Sequence, residues 1–415
     1  MTSVPVAAGR AGQARSPVAL LQSWLDRPLS SYYLLLGSCG LLVALGLVMV
    51  LSASSVTSYA SSGSSFTIAE KQAMWLAVGL PAMWVAMRLP ARAYRWMGYP
   101  LLLAALAMMC AVLVPHIGVQ VGGATRWIAL PGGMQVQPSE FAKLALVLWG
   151  ADLLARKEKR LVDTRHLLIP LVPLTLLMVL LVMLQPDLGT TTVLMIIMLA
   201  LLWTAGTPLS VFTGLGVLVG IGGGLLAVTE PYRLARLTGF TNPCALAKAQ
   251  DAGYQACQGL YALSSGGWFG LGLGASREKF GYLPNQYTDY IFAIIGEELG
   301  LLGTMVVLVL FAVLGFAGIR IAQRSTDRFS QLAAAGVTAW LLGQALVNMG
   351  AVVGLLPITG IPLPMVSFGG SALVPTLFAI GMLGSFARRE PGAAKALAAR
   401  RAARKQAMAR RLRST

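Results

Sequence analysis

Ten apolar stretches punctuate the chain, each near the roughly 20 residues that carry a helix across a bilayer. They fall close to 31–53, 70–88, 94–115, 138–155, 166–184, 188–205, 208–228, 290–319, 331–354 and 371–387. The fifth and sixth are short and meet at Gln185-Pro186-Asp187, so tilted or broken helices are expected there. Between the stretches lie polar segments of unequal length, the longest running over 229–289. The pattern predicts an all-α polytopic membrane protein with ten transmembrane helices and a large loop between the seventh and eighth. Its expected parts are an N-terminal segment (1–30), a membrane domain (31–390) and a basic tail (391–415). The first 30 residues carry Arg10, Arg15, Asp26 and Arg27 without a clean apolar core, so a cleavable signal peptide is not expected.

Composition agrees: 56% of the 415 residues are hydrophobic and 11% charged, against about 25% charged in soluble domains. The placement of Lys and Arg orients the bundle. With both termini cytoplasmic, 24 of the 32 basic residues fall on the inner side, as the positive-inside rule requires. The net charge of +17 therefore reports topology and gives no reason to expect nucleic acid. The ten basic residues from Arg388 to Arg413 fit either a solvated topology anchor or a grip on anionic headgroups.

This orientation sends three unusual segments outward: 116–139, 229–289 and 355–370. Long loops are where function concentrates, so the working face is expected outside, away from nucleotides. No phosphate-cradling GxxxxGK[ST] run occurs. Cys244 and Cys257 share the long loop, where a disulfide can persist and would contribute about 3 kcal/mol; two separate thiols are the other reading. His116 and His166, the only histidines, fall on opposite sides of the membrane, which argues against zinc and leaves no expected protein-held metal set.

Several polar residues stand out against this apolar background. Glu140 and Lys143, three apart at the start of the fourth stretch, share a helical face. Alone, each would cost roughly 2.5–3.5 kcal/mol at the bilayer centre; paired, they are either a structural ion pair or the wall of a cavity that orders a polar substrate. Arg126 and Trp127 suit an interfacial anchor, or a phosphate and sugar contact. Asp187, after Pro186, either caps the sixth helix or faces the same cavity. Asp289 stands where the eighth helix begins, with Arg277 and Lys279 nearby. Either Thr288 or Asp289 is an N-cap, or Asp289 is a reactive carboxylate beside a glycine-rich loop. Glu297 is eight residues on, about 12 Å along a helix, so the two carboxylates cannot form a close pair. Glycosidases need two because a sugar alkoxide leaves poorly; one suffices when the leaving group is a pyrophosphate, which points to transfer. No GxSxG, HExxH or Cys-His arrangement supplies a nucleophile or catalytic metal. The Gly270, Gly272, Gly274 run is read as loop flexibility.

Five segments in order complete the picture: GATRWI (123–128), QPSEFAK (137–143), QPDLGT (185–190), KFGYLPNQYTDYIFAIIGEELG (279–300) and GLLPITGIPLPMVSFGGS (354–371). Over residues 31–390 the chain resembles the SEDS membrane proteins, the shape, elongation, division and sporulation polymerases of bacterial peptidoglycan. The wording of the long loop is most similar to the cell-division branch, with the elongation branch as the alternative. The resemblance implies ten transmembrane helices in the bacterial plasma membrane and processive glycosyl transfer from an undecaprenyl-pyrophosphoryl glycan strand to lipid II. It implies that Asp289 is the catalytic carboxylate, that Glu140 and Lys143 line the substrate cavity, and that Arg126 and Trp127 form its outer rim. Ser367 belongs to the last motif. Two departures, Gln135 where a basic residue is frequent and Ala372 where a hydroxyl is, touch only headgroup contacts.

The mechanism so implied has Asp289 as general base, a role worth roughly 10²–10⁴-fold. The departing pyrophosphate needs positive compensation, from loop residues such as Arg277 and Lys279 or from a divalent cation, Mg or Mn. A class B penicillin-binding protein, a transpeptidase, is the implied partner, alongside other division proteins. A lipid-linked precursor flippase or transporter is the rival class, and a structural scaffold for division proteins a third.

Overall fold

The computed structural model of the protein describes residues 27–121, 124–131, 134–157, 168–217, 220, 244, 252–399 and 402–403. Three helices open it: α1 (Ser30–Ser62), α2 (Thr67–Ala86) and α3 (Ala91–Val112). After a small sheet come α4 (Pro138–Arg156), α5 (Leu171–Met183) and α6 (Leu188–Ala205). Helix α7 (Ala252–Ser265) precedes α8 (Ile291–Arg324), α9 (Arg328–Val352) and α10 (Leu373–Ala387). Local chemistry sets several starts. Pro138 opens α4 at a position where a missing N–H costs nothing. Asp187 and Asp327 cap α6 and α9 by accepting the amides of Thr190 and Ser330.

Among the described residues, nine of the ten expected stretches are helices: α1 to α6 and α8 to α10. Of the remaining one, residues 209–217 are helical and most of 218–228 lies outside the described residues. Among the described residues, six helices are long and apolar enough to cross a membrane: α1, α3, α6, α8, α9 and the last, counted from Gly370. The chain is thus mostly helical and multi-pass. Helices α4 and α9 sit at its centre, α9 packing on α4, α6, α8 and α10. The expected segments 1–26, 158–167 (with His166), 229–243, 245–251 and 404–415 lie outside the described residues.

Three features depart from the sequence reading. The polar segment after α3 folds into an antiparallel sheet of β1 (Gly118–Val121), β2 (Ala124–Leu130) and β3 (Met134–Val136), in which Val119 faces Trp127 and Ile128 faces Val136. Strands this short leave little period-2 signal. Helix α8 is broken at Gly300, whose φ of 69° and ψ of −165° isolate residues 291–299 as a half-helix. The Gly270 run is packed rather than loose. It lies along the break, so that Leu271 and Gly272 donate to the carbonyls of Glu297 and Glu298, while Leu301 and Leu302 donate to those of Gly267 and Trp268. The break thereby keeps its backbone groups satisfied, as membrane depth demands. Cys244 and Cys257 are joined by a disulfide, while Cys39 and Cys110 are free.

The two ends of the bundle differ. At one, Asp152 pairs with Arg95 at 2.6 Å and with Arg156 at 2.7 Å, and Arg324 lies 3.8 Å from Glu390. Burial pushes the Glu390 carboxyl up, partly offset by the charges of Arg324 and Arg320. The other end gathers the sheet, the α5–α6 joint, the start of α8 and the segment before α10.

Candidate active site

At the sheet-bearing end the half-helix of α8 begins with Tyr290 at the N-cap position, where no side-chain cap forms. Neither Thr288 nor Asp289 takes that place; the Thr288 hydroxyl bonds the Asn285 carbonyl at 3.2 Å. Asp289 is half-buried, one residue before the N-cap. Its main-chain carbonyl accepts from Asn348 Nδ2 of α9 at 2.7 Å, and the same amide reaches the Ile361 carbonyl at 2.8 Å. One side chain thus ties the start of α8 to the segment 358–362.

That segment carries Gly360 at φ 71°. A Cβ there would lie 3.7 Å from Asp289 Oδ2 and 4.0 Å from Arg126 Nη1. A carboxylate and a guanidinium therefore flank the same gap, which glycine keeps open. On its far side the segment presses on α6, where a Cβ at Gly189 would meet Ile361 Cγ2 at 2.3 Å and the Thr359 carbonyl at 2.6 Å.

Arg126 reaches this gap from β2 and is fixed by its neighbours. Its Nε donates to the Gln185 carbonyl at 3.2 Å, its Nη2 to that of Pro186, and its Nη1 lies 3.9 Å from Asp187 Oδ1. Asp187 serves both readings offered by the sequence. It caps α6 through Thr190 at 3.0 Å and faces Arg126, while Gln137 Nε2 donates to its Oδ2 at 3.2 Å. Trp127, half-buried and next to Arg126 on the same strand, takes the opposite face of the sheet.

Beneath lies a second, fully buried layer. Lys143 has no exposed surface, and its Nζ donates to Glu140 Oε1 and Gln344 Oε1, each at 2.8 Å. Gln344 also accepts from Trp340 Nε1 at 3.0 Å and donates to the Pro362 carbonyl at 2.9 Å. Among the described residues, Glu140 Oε2 is buried without a hydrogen-bond partner. The pair thus joins α4 to α9 and, through Gln344, to the segment that shapes the gap. Ser367 is also inside: its Oγ accepts from the Leu363 amide at 2.8 Å and closes a turn.

The remaining sequence candidates stand apart from the gap. Arg277 is exposed, and its backbone amide donates to Glu297 Oε1 at 2.8 Å. Lys279 is buried; its Nζ donates to the Gly274 carbonyl and lies 3.7 Å from Glu298 Oε1. Burial and the Glu297 charge both push the Glu278 carboxyl up. The structure therefore brings together Arg126, Asp187 and Asp289, puts Glu140 and Lys143 in the layer below, and gives Lys279 to Glu298.

Trp340, Gln344, Asn348 and Gly360 were missed from sequence. The first three follow at i, i+4 and i+8 on one face of α9, and polar side chains on such a face inside an apolar stretch were the available signal. Among the described residues, no three of His, Cys, Asp and Glu gather as metal ligands. Among the described residues, the positive charge beside the gap is the Arg126 guanidinium.

One apolar cavity of about 760 Å³ lies between α7, α8 and α9. Phe292, one turn from Asp289, lines it together with Gly300, Leu301, Met305 and Met349.

A family model described as cell cycle protein, of the FtsW, RodA and SpoVE type, matches residues 32–391. A Mycobacterium tuberculosis protein named probable peptidoglycan glycosyltransferase FtsW is 44% identical over 397 residues, covering 96% of this chain and 75% of the relative. Stage V sporulation protein E of Bacillus subtilis is 38% identical over 344 residues, 83% of this chain and 93% of the relative. Among solved structures, a chain from a peptidoglycan synthase complex that coordinates polymerization and crosslinking superposes with a TM-score of 0.71 at 26% identity, covering 89% of this chain and 99% of that one. The rod shape determining protein RodA of Thermus thermophilus gives 0.61 at the same identity and coverage.

Proposed function

This chain belongs to the FtsW, RodA and SpoVE family of cell cycle proteins, and from that premise we propose how its geometry works as a peptidoglycan glycosyltransferase. The substrate is lipid II, added to a growing glycan strand on an undecaprenyl-pyrophosphoryl carrier. The similarity to relatives named FtsW supports septal synthesis over the elongation role. Ten membrane helices, cytoplasmic termini and a site facing outward in the bacterial plasma membrane belong to the same proposal, supported by the basic residues at the end opposite the gap.

The observation that carries the reading is the gap at Gly360, with a carboxylate on one side and a guanidinium on the other. Asp289 takes the proton of the acceptor GlcNAc C4 hydroxyl as that oxygen attacks C1 of the donor MurNAc with inversion. The C1–O bond to the diphosphate breaks, and the leaving group carries the electron pair toward Arg126. Asp187 borders the sugar-diphosphate, Trp127 flanks it from the far face of the sheet, Arg277 stands at the outer approach, Glu140, Lys143 and Ser367 hold the wall beneath, and Lys279 acts at a distance through Glu298. An isoprenoid chain suits the apolar cavity beside Phe292, which lets the carrier stay in lipid. A divalent cation, if the substrate brings one, would ride on the diphosphate. A transpeptidase partner is supported by the synthase complex whose chain shares this fold.

Asp289→Asn keeps shape and hydrogen bonding but removes the base. Purified in detergent with a transpeptidase partner, it should melt like the parent and make lipid II polymer at least 10²-fold more slowly. Polymerisation at the parental rate would remove Asp289 from the mechanism.

A further inference from the structure

Two buried carboxylates, Glu297 and Glu298, are not used by this chemistry. They sit at the lower end of the half-helix, immediately above the break at Gly300, and are 1% and 0% exposed. Buried charges are retained only when paired and hydrogen-bonded, and each has found several partners. Glu297 accepts from Ser276 Oγ at 2.5 Å and from the Arg277 amide at 2.8 Å. Glu298 accepts from Ser52 Oγ of α1 at 2.7 Å on both oxygens, and from the Ser276 amide at 3.4 Å, with Lys279 Nζ 3.7 Å away.

These bonds close a circuit. The chain leaves α7 at Ser265 and passes along the break, where a Cβ at Gly270 would lie 2.1 Å from the Glu298 carbonyl and one at Gly300 2.4 Å from the Gly270 amide nitrogen. It then returns through Glu278–Phe280 and Asn285 to Asp289. A single loop thus holds both ends of the half-helix. Gly300 uncouples that half-helix from the rest of α8, so its axis is set by what grips its lower end. Asp289 lies roughly 16 Å from Gly300 along the helix, and a tilt of about 4° at the break moves its carboxylate by about 1 Å. A misplacement of 1 Å can cost about 10²-fold in rate.

We infer that Glu298, with Glu297, is a positioning residue for the glycosyl transfer: it clamps the glycine loop and α1 to the foot of the half-helix and so aims Asp289 at the gap. This rests on the assignment of Asp289 as base. The test compares Glu298→Gln with Asp289→Asn in the full chain with its transpeptidase partner, following polymerisation of lipid II and amide exchange over residues 267–302. Glu298→Gln should lower kcat by 10- to 100-fold and leave KM for lipid II within about twofold. Protection should fall at Leu271, Gly272, Leu301 and Leu302 while the lower part of α8 stays protected. Where Glu298→Gln does not accumulate as folded protein, Ser52→Ala, which removes the Ser52 bond to Glu298 and leaves the Thr57–Gln286 bond in place, should lower kcat three- to tenfold with the same split. Full kcat in a folded variant, a fall in kcat with the loop still protected, or a loss expressed only in KM overturns the inference. An active Asp289→Asn overturns the base instead, and an inactive Asp289→Asn beside a fully active Glu298→Gln overturns only the positioning role.

Discussion

Lys143 sits without solvent contact in the middle of a bundle whose neighbours are mostly aliphatic, and it stays because Glu140 and Gln344 were placed to receive it. Breaking a buried pair by removing one partner costs about 3–5 kcal/mol, since the other charge is left stranded. Lys143→Met should therefore lower the melting temperature in detergent markedly. Adding Glu140→Leu to it should restore most of the stability without restoring polymerisation, because Gln344 would still lose a partner that helps hold Pro362. An undiminished melting temperature for Lys143→Met would show that the pair contributes little. At this scale the sequence revealed charges well and amides badly. Glu140, Lys143, Arg126, Asp187 and Asp289 announce themselves because ionisable groups are costly in apolar runs. Gln344 and Asn348 are neutral; their spacing marks one polar face of α9, but not that this face meets Pro362, Ile361 and Asp289. The reading of Lys279 as a loop cation near Asp289, and of Ser367 as part of the last family motif, did not foresee that their polar atoms are engaged within the fold.

The helices themselves were legible from apolar length, as was the joint between α5 and α6 at Gln185-Pro186-Asp187; the break inside α8 was not. An apolar run from 290 to 319 reads as one span, and the break at Gly300 emerges only when the Gly270 run pairs with it. Glycine suits both a loose loop and a close backbone approach, and sequence cannot separate the two. The same holds for the sheet, whose strands are held by their partners rather than by pattern. The long loop has a firmer element in α7, packed on α8 so tightly that a Cβ at Gly259 would meet the Tyr290 ring at 2.5 Å. The disulfide anchors the start of that helix. Cys257→Ser opens a loop whose closure contributes about 3 kcal/mol in the chain-entropy view. Its melting temperature should fall to the value the parent shows in reductant, and reductant should leave the variant unchanged. Equal melting with and without reductant in the parent would show that the bridge contributes nothing.

At the scale of the molecule, charge distribution and chemistry point the same way. Basic residues crowd one end of the bundle, and the gap at Gly360 opens at the other. A flippase needs two compartments, whereas a polymerase needs only substrate. In plain detergent micelles, the chain and a transpeptidase partner should convert lipid II to long glycan, resolved by gel electrophoresis. Failure to form polymer there, with lipid II moving across proteoliposome membranes instead, would favour transport.

The circuit from α7 through the glycine loop to the half-helix has a bearing on how such proteins diverge. The proposed base, the foot and the strap are encoded within about fifty consecutive residues, 252–302, yet two α1 side chains hold them, Ser52 on Glu298 and Thr57 on Gln286. Exchanging this cassette between relatives as a block, together with positions 52 and 57, should yield working hybrids, whereas a junction placed inside it should leave each half without its counterpart.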